Sequence, residues 1–236
     1  MKTRFITFPR SGSQLVIAML YAYCDNNFKK HLTTVDGIHG QGVKPYDVGK
    51  MKFCQKELHK CDKNIFCNDD DVNIQHTHGF PHPNLENKFI QNINYIIQYR
   101  HPIECALSWC GYSSINHSIE NFDFINHMNS TIKMWIKFVD FYLLEETPKN
   151  VFKLEYNDFM NNPKKNIYKI FKIAFNKINY RKINKILNYC PIEYKSNIKK
   201  FLQINEYIDF LYECELLIKE KLNKLKIPLI NWNELK

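Results

Sequence analysis

Short β-like runs separated by helical patterns constrain the fold of this chain more than any other feature of its sequence. The runs are rich in β-branched or aromatic residues and lie at residues 4–8, 72–76, 95–99 and 151–154. Apolar residues at three- and four-residue spacing indicate helices at residues 14–24, 103–112, 122–139, 167–174, 183–190 and 208–225. Strands that alternate with helices predict an α/β fold with three layers, in which helices flank a mostly parallel central sheet.

The domain organisation follows from length and from the distribution of turn residues. The chain has 236 residues, no internal repeat and no sharp change in composition, so we expect a single domain over residues 1–236. Residues 33–71 are expected to be loop-rich, because four of the seven glycines lie between residues 33 and 51. Long loops on such folds often carry substrate contacts, so this segment is predicted to contribute to a substrate site. Residues 176–236 are predicted to form a helical C-terminal part.

The positive charge of the chain is mostly lysine. Lys plus Arg number 33 against 24 Asp plus Glu, a net charge of +9, and 29 of the 33 are lysines. Lysine, isoleucine and asparagine share A/T-rich codons, so we attribute the excess to coding bias. The lysine-rich segments carry interspersed acids, as in Lys219-Glu220-Lys221, and no nucleic-acid partner is expected. The four arginines are Arg4, Arg10, Arg100 and Arg181.

Hydropathy and cysteine spacing predict the location and the metal content. The longest apolar run, residues 15–24, is too short to span a bilayer, and no signal-peptide pattern precedes it. We therefore expect a cytoplasmic protein with reduced thiols and no membrane span. Cys54, His59, Cys61 and Cys67 lack the spacing of a zinc knuckle, so no metal is expected. The oligomeric state stays open.

A polar turn follows the first strand and precedes the first helix. It consists of Pro9-Arg10-Ser11-Gly12-Ser13-Gln14. Such a turn directs backbone N–H groups and the positive end of the helix dipole at one spot, which suits a phosphate or sulfate. An ordinary β–α turn with a polar cap, which binds no anion, would have the same sequence pattern. The pattern is not a Walker A loop, because no lysine follows the glycine.

A second polar group follows the strand at residues 95–99. Arg100-His101-Pro102 ends this strand, and Ser108 lies eight residues after Arg100 on the predicted helix. A strand-end arginine and a helix serine could together bind a second phosphate. An arginine at a sheet edge and an unrelated serine on a helix face are the alternative.

In this order, the segments resemble the sulfotransferases that use 3′-phosphoadenosine 5′-phosphosulfate (PAPS). Pro9-Arg10-Ser11-Gly12-Ser13 is similar to their P-[KR]-S-G-[TS]-[TS] turn for the 5′-phosphosulfate, with Gln14 as a departure at the last position. Its arginine looks like that of the tyrosylprotein and Golgi carbohydrate members. Arg100 to Ser108 resembles their R-[ND]-P motif for the 3′-phosphate, with His101 as a departure. Leu154-Glu155-Tyr156-Asn157-Asp158-Phe159 before Asn162-Pro163 resembles a third family element, which would bring Tyr156 near the adenine.

The resemblance implies a P-loop NTPase-like sulfotransferase fold, with PAPS as co-substrate and 3′-phosphoadenosine 5′-phosphate (PAP) as product. The residues that it assigns to nucleotide binding are Arg10, Ser11, Gly12, Ser13, Gln14, Arg100, Ser108 and Tyr156. The C-terminal R-K-G segment of cytosolic members is absent, and only Lys195, Lys199 or Lys200 could replace it.

Two histidines end the predicted second strand. His76-Thr77-His78 resembles the strand-end K-T-H of cytosolic sulfotransferases, in which the histidine is the general base. The resemblance assigns the base to His78 and implies that Arg10 stabilises the leaving phosphate. His76 lies at the family's lysine position, where either contact with the transferring sulfuryl group or the role of base itself stays open for it. Two alternatives stay open for His76, His78 and His82: a metal site, or polar loop residues.

The predicted function is transfer of a sulfuryl group from PAPS to a hydroxyl on a carbohydrate, a peptidyl tyrosine or a small molecule. The loop-rich residues 33–71 are expected to serve the acceptor site. No metal requirement is expected. The alternatives are a P-loop-like nucleotide kinase or NTPase, which the missing Walker lysine disfavours, and a non-catalytic nucleotide-binding module. A magnesium requirement would distinguish the kinase.

Overall fold

The computed structural model describes residues 2–25, 46–54, 71–78, 89–116, 123–144, 146–175, 177–189 and 207–234. The chain divides into two compact units. Unit 1 comprises Met1–Tyr99 and Thr147–Glu193, and unit 2 comprises Arg100–Glu146 and Tyr194–Lys236. No helix within the described ranges is both long enough and apolar enough to cross a membrane.

A six-stranded sheet forms the centre of unit 1. Its strands are β1 (Lys2–Thr7), β2 (Tyr46–Val48), β3 (Met51–Cys54), β4 (Ile74–His78), β5 (Ile93–Tyr99) and β6 (Val151–Glu155). They lie in the order β2-β3-β4-β1-β5-β6, and all neighbours are parallel except the antiparallel pair β2 and β3. The carboxyl ends of β4, β1, β5 and β6 therefore lie along the same edge of the sheet.

Helices follow most of these strands. They are α1 (Ser13–Cys24), α2 (Pro102–Asn116), α3 (Phe124–Tyr142), α4 (Tyr156–Asn161), α5 (Pro163–Ala174), α6 (Tyr180–Tyr189) and α7 (Ile208–Leu225), and a short 3-10 helix spans Trp232–Glu234. The six helices expected from periodicity are all present, within a few residues of the expected bounds, and α4 was not expected. The predicted α/β fold with a mostly parallel sheet and flanking helices is confirmed.

Two features of the sheet differ from the expectation. Strand β4 lies at Ile74–His78, two residues later than expected, so that both histidines belong to the strand. Strands β2 and β3 form a hairpin inside the segment predicted to be loop-rich. Gly49, with φ 60°, and Lys50 supply its two-residue turn, and a glycine at positive φ is typical of such hairpins.

One face of the sheet packs against helices of unit 1. The buried side chains of Phe5, Ile74 and Ile96 share a core with α1, α5 and α6. Helix α1 is apolar on almost every side, and its residues from Val16 to Ala22 are all buried. An all-apolar helix next to a strand end is stable only when neighbours cover it, and this anchors the turn between β1 and α1.

Unit 2 is helical. Helix α2 packs against α3, and α7 packs against both. The buried face of α3 includes Trp135, Phe138 and Val139, as its three- and four-residue spacing predicts. Asp123 caps α3, since its carboxylate accepts a hydrogen bond from the Asn126 N–H at 3.0 Å.

Candidate functional site

The turn between β1 and α1 adopts an uncommon backbone conformation. Arg10 has φ 62° and Gly12 has φ 84°. A non-glycine residue at positive φ is unusual, so contacts around the turn must hold Arg10 in place. Gly12 is the N-cap of α1, and in the described part of the chain no side chain caps this helix and no acid lies in its first turn. The helix N-terminus is thus electrostatically suited to an anion.

Strand β5 holds this turn through the side chain and the backbone carbonyl of one residue, Gln98. The Gln98 amide donates to the Ser11 carbonyl at 2.6 Å, and the Phe8 N–H donates to the Gln98 carbonyl at 3.0 Å. The Ser11 hydroxyl also donates to the Gln98 carbonyl, at 3.4 Å. Gln98 and Ser11 are fully buried. Gln98 had no predicted role, although an amide between apolar residues of a strand was a usable signal.

Tyr156 lies directly against the turn. A Cβ added to Gly12 would lie 2.8 Å from Cδ2 of Tyr156 and closer still to Cε2. Tyr156 is the first residue of α4, which Glu155 caps by accepting the Asp158 N–H at 2.8 Å. Only glycine fits at position 12, because both the backbone angle and the ring require it.

The two predicted histidines meet at the end of β1. The Thr7 hydroxyl lies 3.0 Å from Nε2 of His76 and 3.1 Å from Nδ1 of His78. The two imidazole rings contact each other edge to face, with centroids 5.4 Å apart. Thr7 is fully buried, His76 is 7% exposed and His78 is half-buried. Thr7 is a residue that sequence reasoning missed.

In unit 2, Arg100 is buried and paired. Its Nε donates to the Glu104 carboxylate at 2.8 Å, and its carbonyl accepts the indole N–H of Trp135 at 3.0 Å. The i,i+4 spacing of Arg100 and Glu104 could have predicted this pair. Ser108 lies two turns into α2 and is 8% exposed. The pair fixes the orientation of the guanidinium, whose terminal nitrogens carry further donors.

His101, where the sulfotransferase motif has Asn or Asp, belongs to a buried network in unit 2. Its Nε2 lies 3.0 Å from Glu215, which also accepts the indole N–H of Trp232 at 2.6 Å and the backbone N–H of Ile230 at 2.8 Å. Burial raises the pKa of Glu215, but these hydrogen bonds outweigh it and hold the pKa below its ordinary value. His101 therefore anchors the start of α2 to α7 and the residues that follow it.

Several predicted residues are brought together within unit 1. The turn carries Arg10 (half-buried), Ser11, Gly12 and Ser13, and Gln14 follows in the first turn of α1. Thr7 contacts both histidines and is the last residue of β1, two residues before Pro9, where this turn begins.

Other predicted positions lie outside the described residues: His59, Cys61, Cys67, His82, Lys195, Lys199 and Lys200. Within the ranges given above, no group of three or more His, Cys, Asp or Glu residues is suited to a metal ion.

Comparison with known proteins identifies a family and a set of similar structures. A family model described as a sulfotransferase domain matches residues 3–209. No curated protein sequence matches the chain. Retinol dehydratase in complex with androsterone and the inactive cofactor PAP is 11% identical, with a TM-score of 0.53, over 94% of this chain and 80% of that chain. Its complex with retinol and PAP is also 11% identical, with a TM-score of 0.54, over 94% and 81%.

A sulfotransferase from Alicyclobacillus acidocaldarius is 10% identical over 99% of both chains, with a TM-score of 0.45. At such low identity the likeness to the retinol dehydratase structures concerns the fold. The fold is the P-loop-like fold of sulfotransferases, as the sequence resemblance implied.

Proposed function

Because this chain belongs to the sulfotransferase domain family, we propose that it moves a sulfuryl group from PAPS to a hydroxyl by in-line displacement, with His78 as general base. One observation carries the assignment of the base. Thr7, which contacts both histidines, lies two residues before Pro9, where the turn proposed to bind the anion begins, so the proposed base and the proposed anion site share one strand end. Ligands of open α/β sheets bind outside the carboxyl ends of the strands.

The residues of the turn fit a phosphosulfate. The close approach of Tyr156 to Gly12 leaves no room for a side chain, and the N-terminus of α1 is not neutralised by an acid. Arg10, Ser11, Gly12, Ser13 and Gln14 would hold the 5′ end of the nucleotide with N–H, hydroxyl and guanidinium donors.

Three further residues complete the proposed nucleotide site. Tyr156 would hold the adenine, and Arg100 and Ser108 would hold the 3′-phosphate. When bound, PAPS supplies the sulfuryl group, and PAP is the product.

The chain's own residues would stabilise the charge on the leaving phosphate and remove the proton of the attacking hydroxyl. Arg10 and the N–H groups of the turn would stabilise the negative charge that grows on the leaving 5′-phosphate. His78 would accept the proton of the attacking hydroxyl, a contribution of roughly 10²–10⁴ in rate for a well-placed base. His76 would lie beside the transferring group at the family's lysine position. None of these roles requires a metal ion.

The acceptor is proposed only as a hydroxyl compound: a carbohydrate, a peptidyl tyrosine or a small molecule. Retinol and androsterone, bound in the retinol dehydratase structures, are both alcohols. We propose a cytoplasmic enzyme, and one sulfotransferase domain over the whole chain, since the family match runs through both units.

Nucleotide binding is tested by thermal unfolding. PAP at 100 times its dissociation constant should raise the unfolding free energy by about 2.7 kcal/mol. For a chain of this size, that corresponds to roughly 5–10 °C in Tm. No shift at millimolar PAP would contradict the nucleotide assignment.

Turnover is tested with labelled PAPS and a panel of sugars, peptides and alcohols, with and without a chelator. His78→Ala should cut turnover at least 100-fold while the PAP shift stays near that of the wild type, because the base is not a nucleotide ligand. His127→Ala, a histidine on α3, is the matched control and should keep turnover. Full activity of His78→Ala would move the base elsewhere, and loss of sulfuryl transfer on addition of the chelator would contradict a mechanism without a metal ion.

A further inference from the structure

The Thr7 hydroxyl contacts one ring nitrogen of each histidine. It lies 3.0 Å from His76 Nε2 and 3.1 Å from His78 Nδ1, and Thr7 itself is fully buried. A hydroxyl has one proton to donate and lone pairs that accept. If it donates to one imidazole, it can only accept from the other. The protonation patterns of the two rings are therefore coupled through a single side chain.

Each orientation of the hydroxyl gives a different pair of neutral tautomers. If Thr7 donates to His76 Nε2 and accepts from His78, both rings carry their proton on Nδ1. If it donates to His78 Nδ1 and accepts from His76, both rings carry their proton on Nε2. If it accepts from both, His76 is protonated on Nε2 and His78 on Nδ1. The nitrogen left with a lone pair is set by the hydrogen bond that the other nitrogen makes.

We propose that Thr7 is a positioning residue that donates a hydrogen bond to His76 Nε2 and accepts one from the Nδ1–H of His78, which leaves the lone pair of His78 on Nε2. This assignment rests on the proposed function. His78 is half-buried whereas His76 is 7% exposed, so His78 is the ring that an acceptor can reach. The opposite orientation would place a proton on the very nitrogen that must accept one. Acceptance from both rings would leave the proton of the fully buried Thr7 hydroxyl without an acceptor among the described residues.

The coupling has a chemical consequence during transfer. The acceptor oxygen forms a bond to sulfur, its proton goes to His78 Nε2, and the bond between sulfur and the 5′-phosphate oxygen breaks with its electron pair on the phosphate. His78 is then doubly protonated, and the Thr7 oxygen stabilises it by accepting a hydrogen bond from Nδ1–H. The Thr7 proton stays on its oxygen, donated to His76, so the bridge needs no rearrangement during the step.

The wild-type protein tests the tautomer assignment without any substrate. Long-range ¹H–¹⁵N correlation spectra of histidine-labelled protein, recorded where both rings are neutral, identify the protonated nitrogen of each ring. We expect Nδ1–H for both His76 and His78. Any other combination overturns the assignment: Nε2–H on both would reverse the roles of the histidines, and a mixed pair would remove the coupling.

Substitutions test the positioning role. Thr7→Val should mix the tautomers and lower kcat by about 10–100-fold, the usual loss when the outer partner of a functional histidine is removed, with KM for PAPS within about twofold. Thr7→Ser should restore most of kcat. Thr3→Val is the matched control, because Thr3 lies on the same strand and is equally buried, and its hydroxyl contacts only a carbonyl in the part of the chain described, that of Ile173 at 3.4 Å.

Wild-type kcat in Thr7→Val, or no rescue by serine, would refute the positioning role. If the wild-type protein transfers no sulfuryl group to any acceptor, the proposed function fails instead, and the spectra still decide whether Thr7 bridges the two rings as assigned.

Discussion

Replacing Gly12 by alanine perturbs the turn in two ways that can be separated. At φ 84° a side chain carries the strain of the left-handed conformation, about 1–2 kcal/mol. The added Cβ also crowds the Tyr156 ring, at 2.8 Å from Cδ2 and closer to Cε2, and overpacking of this kind costs about 1–3 kcal/mol. We therefore expect Gly12→Ala to lower the unfolding free energy by roughly 2–5 kcal/mol.

A double-mutant cycle isolates the crowding. Tyr156→Ala removes the ring, so in that background alanine at position 12 should cost only the backbone strain, about 1–2 kcal/mol. The coupling energy between the two positions should then be about 1–3 kcal/mol, the size of the crowding. Urea unfolding followed by circular dichroism measures all four proteins, and an unchanged slope shows that the mutations act on the native state.

Gly49→Ala is the matched control for function. It carries a similar strain at φ 60°, and its added Cβ would lie 2.9 Å from the Cys24 carbonyl carbon, in the hairpin turn rather than in the turn between β1 and α1. Both variants should be destabilised, but only Gly12→Ala should weaken PAP binding, measured by titration at a temperature where each variant is folded.

Two results would refute this reasoning about Gly12. An equal cost of alanine at position 12 with and without the Tyr156 ring would show that the ring does not crowd the turn. A Gly12→Ala protein as stable as the wild type would show that neither cost exists.

Two further predictions concern unit 2. Arg100→Ala should weaken PAP binding and also destabilise the protein by about 3–5 kcal/mol, because it removes one member of the buried Arg100–Glu104 ion pair. Arg100→Ala with Glu104→Gln should recover stability but not PAP affinity, and recovery of both would remove Arg100 from the nucleotide site. Glu215 has a folded-state pKa below its ordinary 4.5, so its stabilisation should be complete above about pH 4.5 and decline as the pH falls toward the folded value. The unfolding free energy is measured by urea titration at pH values from 7 to 3. In Glu215→Gln it should fall less steeply below about pH 4.5 than in the wild type, and an unchanged dependence on pH would contradict the role of this carboxylate.

The local patterns of the sequence predicted most of the architecture. The sequence predicted strands β1, β5 and β6 and the periodic helices, because burial imposes a two-residue period on strands and a 3.6-residue period on helices. The hairpin of β2 and β3 was missed, since three- and four-residue strands are too short to show a period. Strand β4 was predicted two residues too early, because Val72, which precedes it, is β-branched and buried like the residues of a strand.

The sequence by itself determined that a polar turn follows the first strand, that two histidines end another strand, and which family the motifs resemble. Only the tertiary structure decided that Thr7 contacts both histidines across 69 and 71 residues, and that Gln98 holds the turn across 87. Periodicity reports which side of an element is buried, but not which strands are neighbours or how their residues align. In a parallel sheet the register sets these contacts, and the packing of the whole core sets the register.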